Sequence, residues 1–70
     1  MRTLDLHGTR HNDVSTKCHV FINDNWGKEM KIITGHSSRM KGLVVEVLNF
    51  YKLEFTLDNI YNMGYIIIKK

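Results

Sequence analysis

Thr3-Leu4-Asp5-Leu6-His7 alternates polar and apolar side chains with a period of two. It predicts a strand with Leu4 and Leu6 on one face and Thr3, Asp5 and His7 on the other. Gly8 closes it. From about Asn12 the period changes, with Val14, Cys18, Phe21, Ile22 and, about a turn later, Trp26 recurring at helical spacing. Asn12 or Asp13 stands ready as N-cap and Gly27 as the stop. Residues 29–34, with Met30, Ile32 and Ile33, predict a second strand ending at Gly35. Met40, Leu43, Val44, Val47, Leu48 and Tyr51 then form the apolar face of a second helix, capped by Ser37 or Ser38. Leu53, Phe55 and Leu57 alternate with Glu54, Thr56 and Asp58, the pattern of a half-exposed edge strand. Asn62-Met63-Gly64 supplies turn chemistry, and Tyr65-Ile66-Ile67-Ile68 lacks alternation, as expected of a central strand covered on both faces.

The expected order is therefore β-α-β-α-β-β. Right-handed crossovers place both helices on one face of a mixed four-stranded sheet, with the first two strands parallel and the last two antiparallel. This is an α/β chain of the two-layer, α+β sandwich kind. Its 70 residues, 43% apolar, suffice for one domain spanning 1–70 and exclude a second core. So short a chain buries little more apolar area than its conformational entropy demands, which leaves room for assembly as a homodimer.

Charge and cysteine usage narrow the partners. Ten Lys and Arg against seven Asp and Glu give a net charge of +3, scattered along the chain. This suits a phosphate-bearing partner but forms no basic block. The 24% of charged residues and the absence of a long apolar window exclude a membrane span. A lone Cys18 cannot form an internal disulfide, and no apolar signal core follows Met1, so a cytoplasmic location is expected.

Both predicted parallel strands end at the same rim and run into short polar loops, residues 7–11 and 34–39. Ligands of open α/β sheets bind at this rim. Gly8 and Gly35 allow close backbone approach, and the second helix offers N–H groups and a positive dipole end to a phosphate. Arg10, Arg39 and Lys41 add charge. Asp5 and His7, two apart on a strand, would serve one bound group together. Each also has an ordinary reading: Asp5 and His7 as solvent-facing residues of the strand, His36 as a loop residue, His11 and His19 as helix-surface histidines. Cys18 reads as a buried inert thiol and Phe21 and Trp26 as core. His7-x-x-x-His11 with Cys18 and His19 lacks the spacing of a tetrahedral zinc site.

Leu4-Asp5-Leu6-His7-Gly8 resembles the LDLHG signature of the Smr domain, the small MutS-related family. Ile33-Thr34-Gly35 stands where that family carries its second signature, a TGxG-type loop. The separation of the two motifs, the helix around Val44-Val45-Glu46-Val47-Leu48 and the ending Asn62-Met63-Gly64-Tyr65 are similar to the family too, so the resemblance covers essentially the whole chain. One departure stands out: Ser37 replaces the second glycine of the loop. The resemblance implies a fold similar to the C-terminal domain of translation initiation factor three, nucleic-acid binding, and an endonuclease that nicks or cleaves RNA or DNA.

On this reading Asp5, His7 and His36 carry the reaction, and Gly8, Arg10, Thr34, Gly35, Ser37, Ser38, Arg39 and Lys41 hold the nucleic-acid phosphate. With RNA, His7 takes the 2′-hydroxyl proton while His36 or water protonates the leaving oxygen. With DNA, water attacks and Asp5 becomes a ligand for Mg²⁺ or Mn²⁺. Two rivals keep the fold without the chemistry: a non-catalytic nucleic-acid-binding module, and a homodimeric interaction adaptor whose open sheet face is covered by a second chain.

Overall fold

In the computed structural model of the chain, which describes residues 1–56 and 63–69, the elements run β1 (Arg2–Asp5), α1 (His11–Asp24), β2 (Met30–Ile33), α2 (Ser38–Phe50) and β3 (Tyr65–Ile68). The chain is a small α+β domain whose described residues form two helices and a three-stranded mixed sheet of order β1-β2-β3. β1 pairs parallel to β2, Leu4 opposite Ile32, and β2 pairs antiparallel to β3, Ile32 opposite Ile66. Of the expected fourth strand, the described residues contain one antiparallel bridge, Phe55 to Ile68. It is flanked by Thr56 N–H donating to the Ile67 carbonyl and Lys69 N–H to that of Glu54. Leu57, Asp58 and Asn62, on which the rest of that strand and the turn were expected, lie outside the described residues.

The period-two pattern puts alternate strand residues into one core with both helices. Leu6, Met30, Ile32, Ile66 and Ile68 are buried together with Val14, Cys18 and Ile22 of α1 and Met40, Val44, Val47 and Leu48 of α2. Both helices therefore lie on one side of the sheet. The opposite side carries Thr3, Lys31 and Ile67 in one cross-strand row and Asp5, Ile33 and Tyr65 in the next. Tyr65 and Ile67 are half-buried, so β3 is covered fully on its helix side alone, against the expectation of two covered faces. β2 lies between β1 and β3, and the Phe55–Ile68 bridge gives β3 a neighbour on its other edge as well.

Three local expectations change. α1 starts at His11, one or two residues before the expected caps. Arg10 occupies the N-cap without a side-chain bond, because the turn closed by Thr9 N–H on the Leu6 carbonyl feeds straight into the helix. Asp13 instead sits in the first turn, where its charge complements the dipole. At the other end the Asn25 side chain donates to the Phe21 carbonyl at 2.8 Å and the helix stops at Asp24. Trp26 consequently lies past the helix, 57% exposed rather than in the core. Ser37 caps α2 as expected, its Oγ accepting from Met40 N–H at 3.2 Å.

Cys18 is fully buried, and burial pushes its thiol up to about 11. Thiolate, the reactive form, is thus suppressed. A thiol reagent at pH 8 is expected to label folded protein at the rate of unfolding, with urea releasing full reactivity; immediate labelling without urea would contradict the buried placement. Because the folded-state value is raised, stability from this group is present below the unfolded value of about 9 and is lost as pH rises through about 11.

Candidate functional site

The two loops meet at the rim formed by the ends of β1 and β2. Leu6 N–H donates to the Ile33 carbonyl at 2.8 Å, extending the parallel ladder one step beyond Asp5. His7 and Gly8 then turn out of the sheet, so His7 is a turn residue and not the last residue of the strand. The Asp5 carboxylate defines that turn: its Oδ1 accepts from the His7 backbone N–H at 2.9 Å, a local side-chain-to-backbone turn typical of aspartate. One oxygen of the Asp5 carboxylate is thus bonded to the backbone of His7, which orients the residue carrying the ring.

His7 reaches the second loop directly. A Cβ placed on Gly35 would lie 3.7 Å from His7 Cδ2, so the imidazole lies against this glycine. Gly35 itself has φ +71, which a side chain would resist. Beneath it, Thr34 is 3% exposed. Its hydroxyl lies 2.9 Å from the Gly35 carbonyl and 3.1 Å from the Gly64 carbonyl, donating inward. Thr34 thus holds the loop from below and does not present its hydroxyl to a phosphate.

Gly64 is the residue that sequence reasoning left out of the site. Its carbonyl accepts from both Thr34 N–H at 2.8 Å and Gly35 N–H at 2.9 Å. A Cβ on it would come within 2.9 Å of the Gly35 carbonyl oxygen. The third segment therefore closes flat on the second loop, a contact that only glycine permits at φ +75. His11 was missed as well. It opens α1, half-buried, with Nε2 3.5 Å from Ser37 Oγ, and so ties the first helix to the second loop. Ser37, already the cap acceptor for Met40 N–H, has its hydroxyl directed to these two neighbours. His19, expected on the helix surface, is half-buried with Nδ1 2.6 Å from the Tyr51 hydroxyl, away from the rim.

The remaining candidates stay outside this knot. Gly8, Arg10, His36, Ser38 and Arg39 are exposed around the rim, and Lys41 is half-buried on the first turn of α2. Ser37 takes one orphan N–H of that turn and its carbonyl receives Lys41 N–H. Ser38 and Arg39 N–H are left as the helix-end donors. Among the described residues no three His, Cys, Asp or Glu side chains gather as a metal-ligand set. Asp5 contributes one carboxylate, with one oxygen committed to the His7 N–H. These donors do not form a protein cage for Mg²⁺ or Mn²⁺, which would have to draw its other ligands from water and substrate.

No family model, curated protein or solved structure matches the chain. The Smr resemblance rests on the quoted motif residues. No helix among the described residues is long and apolar enough to cross a membrane.

Proposed function

We propose that this chain is an Smr-type domain acting as an endonuclease on nucleic-acid phosphodiester bonds, with His7 as the proton-moving residue. The observation that carries this reading is the convergence of the two motif loops, with the His7 ring against Gly35 and its backbone held by Asp5. A histidine positioned next to backbone that a phosphate can approach closely supplies general acid–base chemistry where a phosphodiester would lie. The side chains present suit RNA best, because its 2′-hydroxyl is an internal nucleophile and needs only proton transfer. His7 takes the 2′-hydroxyl proton, His36 or water returns one to the leaving oxygen, and Arg39, Arg10 and Lys41 counter the phosphate charge. Asp5 acts as a positioning residue.

The fold would then be the two-layer sandwich similar to the C-terminal domain of translation initiation factor three, its fourth strand beginning at residues 53–56. The Phe55–Ile68 bridge is the support for it. A cytoplasmic setting accords with the single buried thiol. A specific observation favours the binding-module reading as the second: Thr34 and Ser37, two expected phosphate ligands, turn their hydroxyls to the protein.

End-labelled RNA and DNA of one sequence, incubated with and without EDTA, test the proposal. Cleavage of RNA in EDTA leaving a 2′,3′-cyclic phosphate is expected. EDTA-sensitive cuts leaving a 5′-phosphate would transfer the chemistry to a metal route, and no cleavage of either substrate would leave the binding module. Binding should weaken with salt, log Kd rising by about 0.7–0.9 per phosphate contact for each unit of log salt. Arg39→Ala should lower that slope by about one contact; an unchanged slope would remove Arg39 from the interface.

A further inference from the structure

The sheet face opposite the helices continues from the rim, and its second cross-strand row is Asp5, Ile33 and Tyr65. Asp5 and Tyr65 are thus two strands apart at one level, about 10 Å by the spacing of a β-ladder. Tyr65 follows Gly64, whose carbonyl is bonded by Thr34 and Gly35 N–H, so the backbone carrying this ring is fixed to the same knot that places His7. Next to it Lys31, half-buried, holds its Nζ 4.2 Å from the centroid of the Tyr65 ring. Ile33 and Ile67 flank the pair, both half-buried.

From this juxtaposition we propose that Tyr65 and Lys31 form a stacking platform for one unpaired base of a single-stranded nucleic acid whose backbone passes the Asp5–His7 rim. The inference rests on the nuclease reading above and adds the substrate's form to it. A half-buried aromatic ring on a sheet face stacks any base on the part it leaves accessible, since every base has a π-face, and duplex bases are not available for it. Cation–π contact on a partly exposed ring is weak. The long Lys31 stem lets the ammonium leave the ring for the adjoining phosphate when a base arrives, so one residue pair supplies both a stacking surface and a charge. Ile33 and Ile67 give the base and sugar an apolar floor that water does not favour.

The test uses the whole chain and fluorescence anisotropy with an unstructured single strand and a blunt duplex of equal length, with 2-aminopurine in a second single strand to report stacking. The parent should bind the single strand more tightly than the duplex and quench the 2-aminopurine. Tyr65→Leu, which keeps an apolar strand residue, should weaken single-strand binding about 5- to 150-fold and abolish quenching; Tyr65→Phe should restore both. Lys31→Ala should lower the salt slope by about one contact. Circular dichroism of each variant checks that it is folded. Unchanged single-strand binding by folded Tyr65→Leu, a preference for duplex, or a parent dimer that Tyr65→Leu dissociates would each overturn the platform. Cleavage by a parent whose binding ignores Tyr65 would overturn the platform and leave the nuclease reading. Tyr65-dependent binding without cleavage of any substrate would overturn the nuclease reading and leave the platform.

Discussion

His7→Ala is expected to give a folded protein that still binds nucleic acid and cleaves about 10²–10⁴-fold more slowly than its parent, the usual contribution of a positioned general acid or base. Stability should change by about 1 kcal/mol or less, because the side chain is exposed at a turn and the hydrogen bond of His7 to Asp5 uses the backbone N–H, which alanine keeps. Leu6→Ala, one residue earlier, removes a fully buried side chain and should cost about 2–5 kcal/mol. The pair separates loss of chemistry from loss of fold. Asp5→Ala should lower the rate by a smaller factor, since it frees the turn without removing the ring, and Asp5→Asn, which keeps an acceptor oxygen for the His7 N–H, should recover most of it. Rates are read in single-turnover assays, and folding by thermal melts of the same samples. A folded His7→Ala protein that cleaves as fast as its parent would show that the proton is moved elsewhere.

Gly64→Ala is expected to be the most damaging of the glycine substitutions. Two penalties act together: a left-handed backbone at φ +75, and a Cβ 2.9 Å from the Gly35 carbonyl oxygen and 3.1 Å from its carbon. Neither neighbour is a flexible side chain, so relief requires moving the loop. Strain and overpacking together should cost about 3 kcal/mol, which lowers Tm by about 12–24 °C in a domain of this size. Gly27→Ala is the control, since φ there is +81 but nothing lies within 4 Å of the added Cβ. It should cost only the conformational strain, about 1–2 kcal/mol. Equal melting temperatures for the two variants would mean that the Gly64–Gly35 contact contributes nothing. Gly64→Ala should also lower cleavage in the fraction that stays folded, because Thr34 and Gly35 lose the alignment of their bonds to the Gly64 carbonyl.

Elements whose periodicity is long and clean were legible in the sequence. Val14, Cys18 and Ile22, and Met40, Val44, Val47 and Leu48, are buried as their spacing demanded, and Leu6, Met30 and Ile32 line the sheet side of the same core. Boundaries were less legible. Arg10 has no capping side chain, and a helix start set by a backbone turn leaves no residue-type signal. Trp26 fell outside the core because the Asn25 side chain ends α1 at a point that hydrophobic spacing does not record. Tyr65-Ile66-Ile67-Ile68 read as covered on both faces, whereas Ile66 and Ile68 on the helix side are buried and Tyr65 and Ile67 on the other, with Lys31 over the Tyr65 ring, are half-buried.

The succession of two strand–helix units before a final strand, most of the core and the meeting of two polar loops at one rim were determined by the sequence itself. Each follows from local periodicity and from the constraint that parallel strands need a crossover. Which atoms serve which purpose at that rim was decided only by the tertiary structure. The Asp5 carboxylate bonds to the His7 backbone, Thr34 turns inward, Gly64 closes on Gly35 and Tyr65 shares a row with Asp5. Except for the Asp5 turn, these contacts join residues far apart in the chain. Their existence depends on register and close approach across the sheet, and no pattern of neighbouring residue types encodes either.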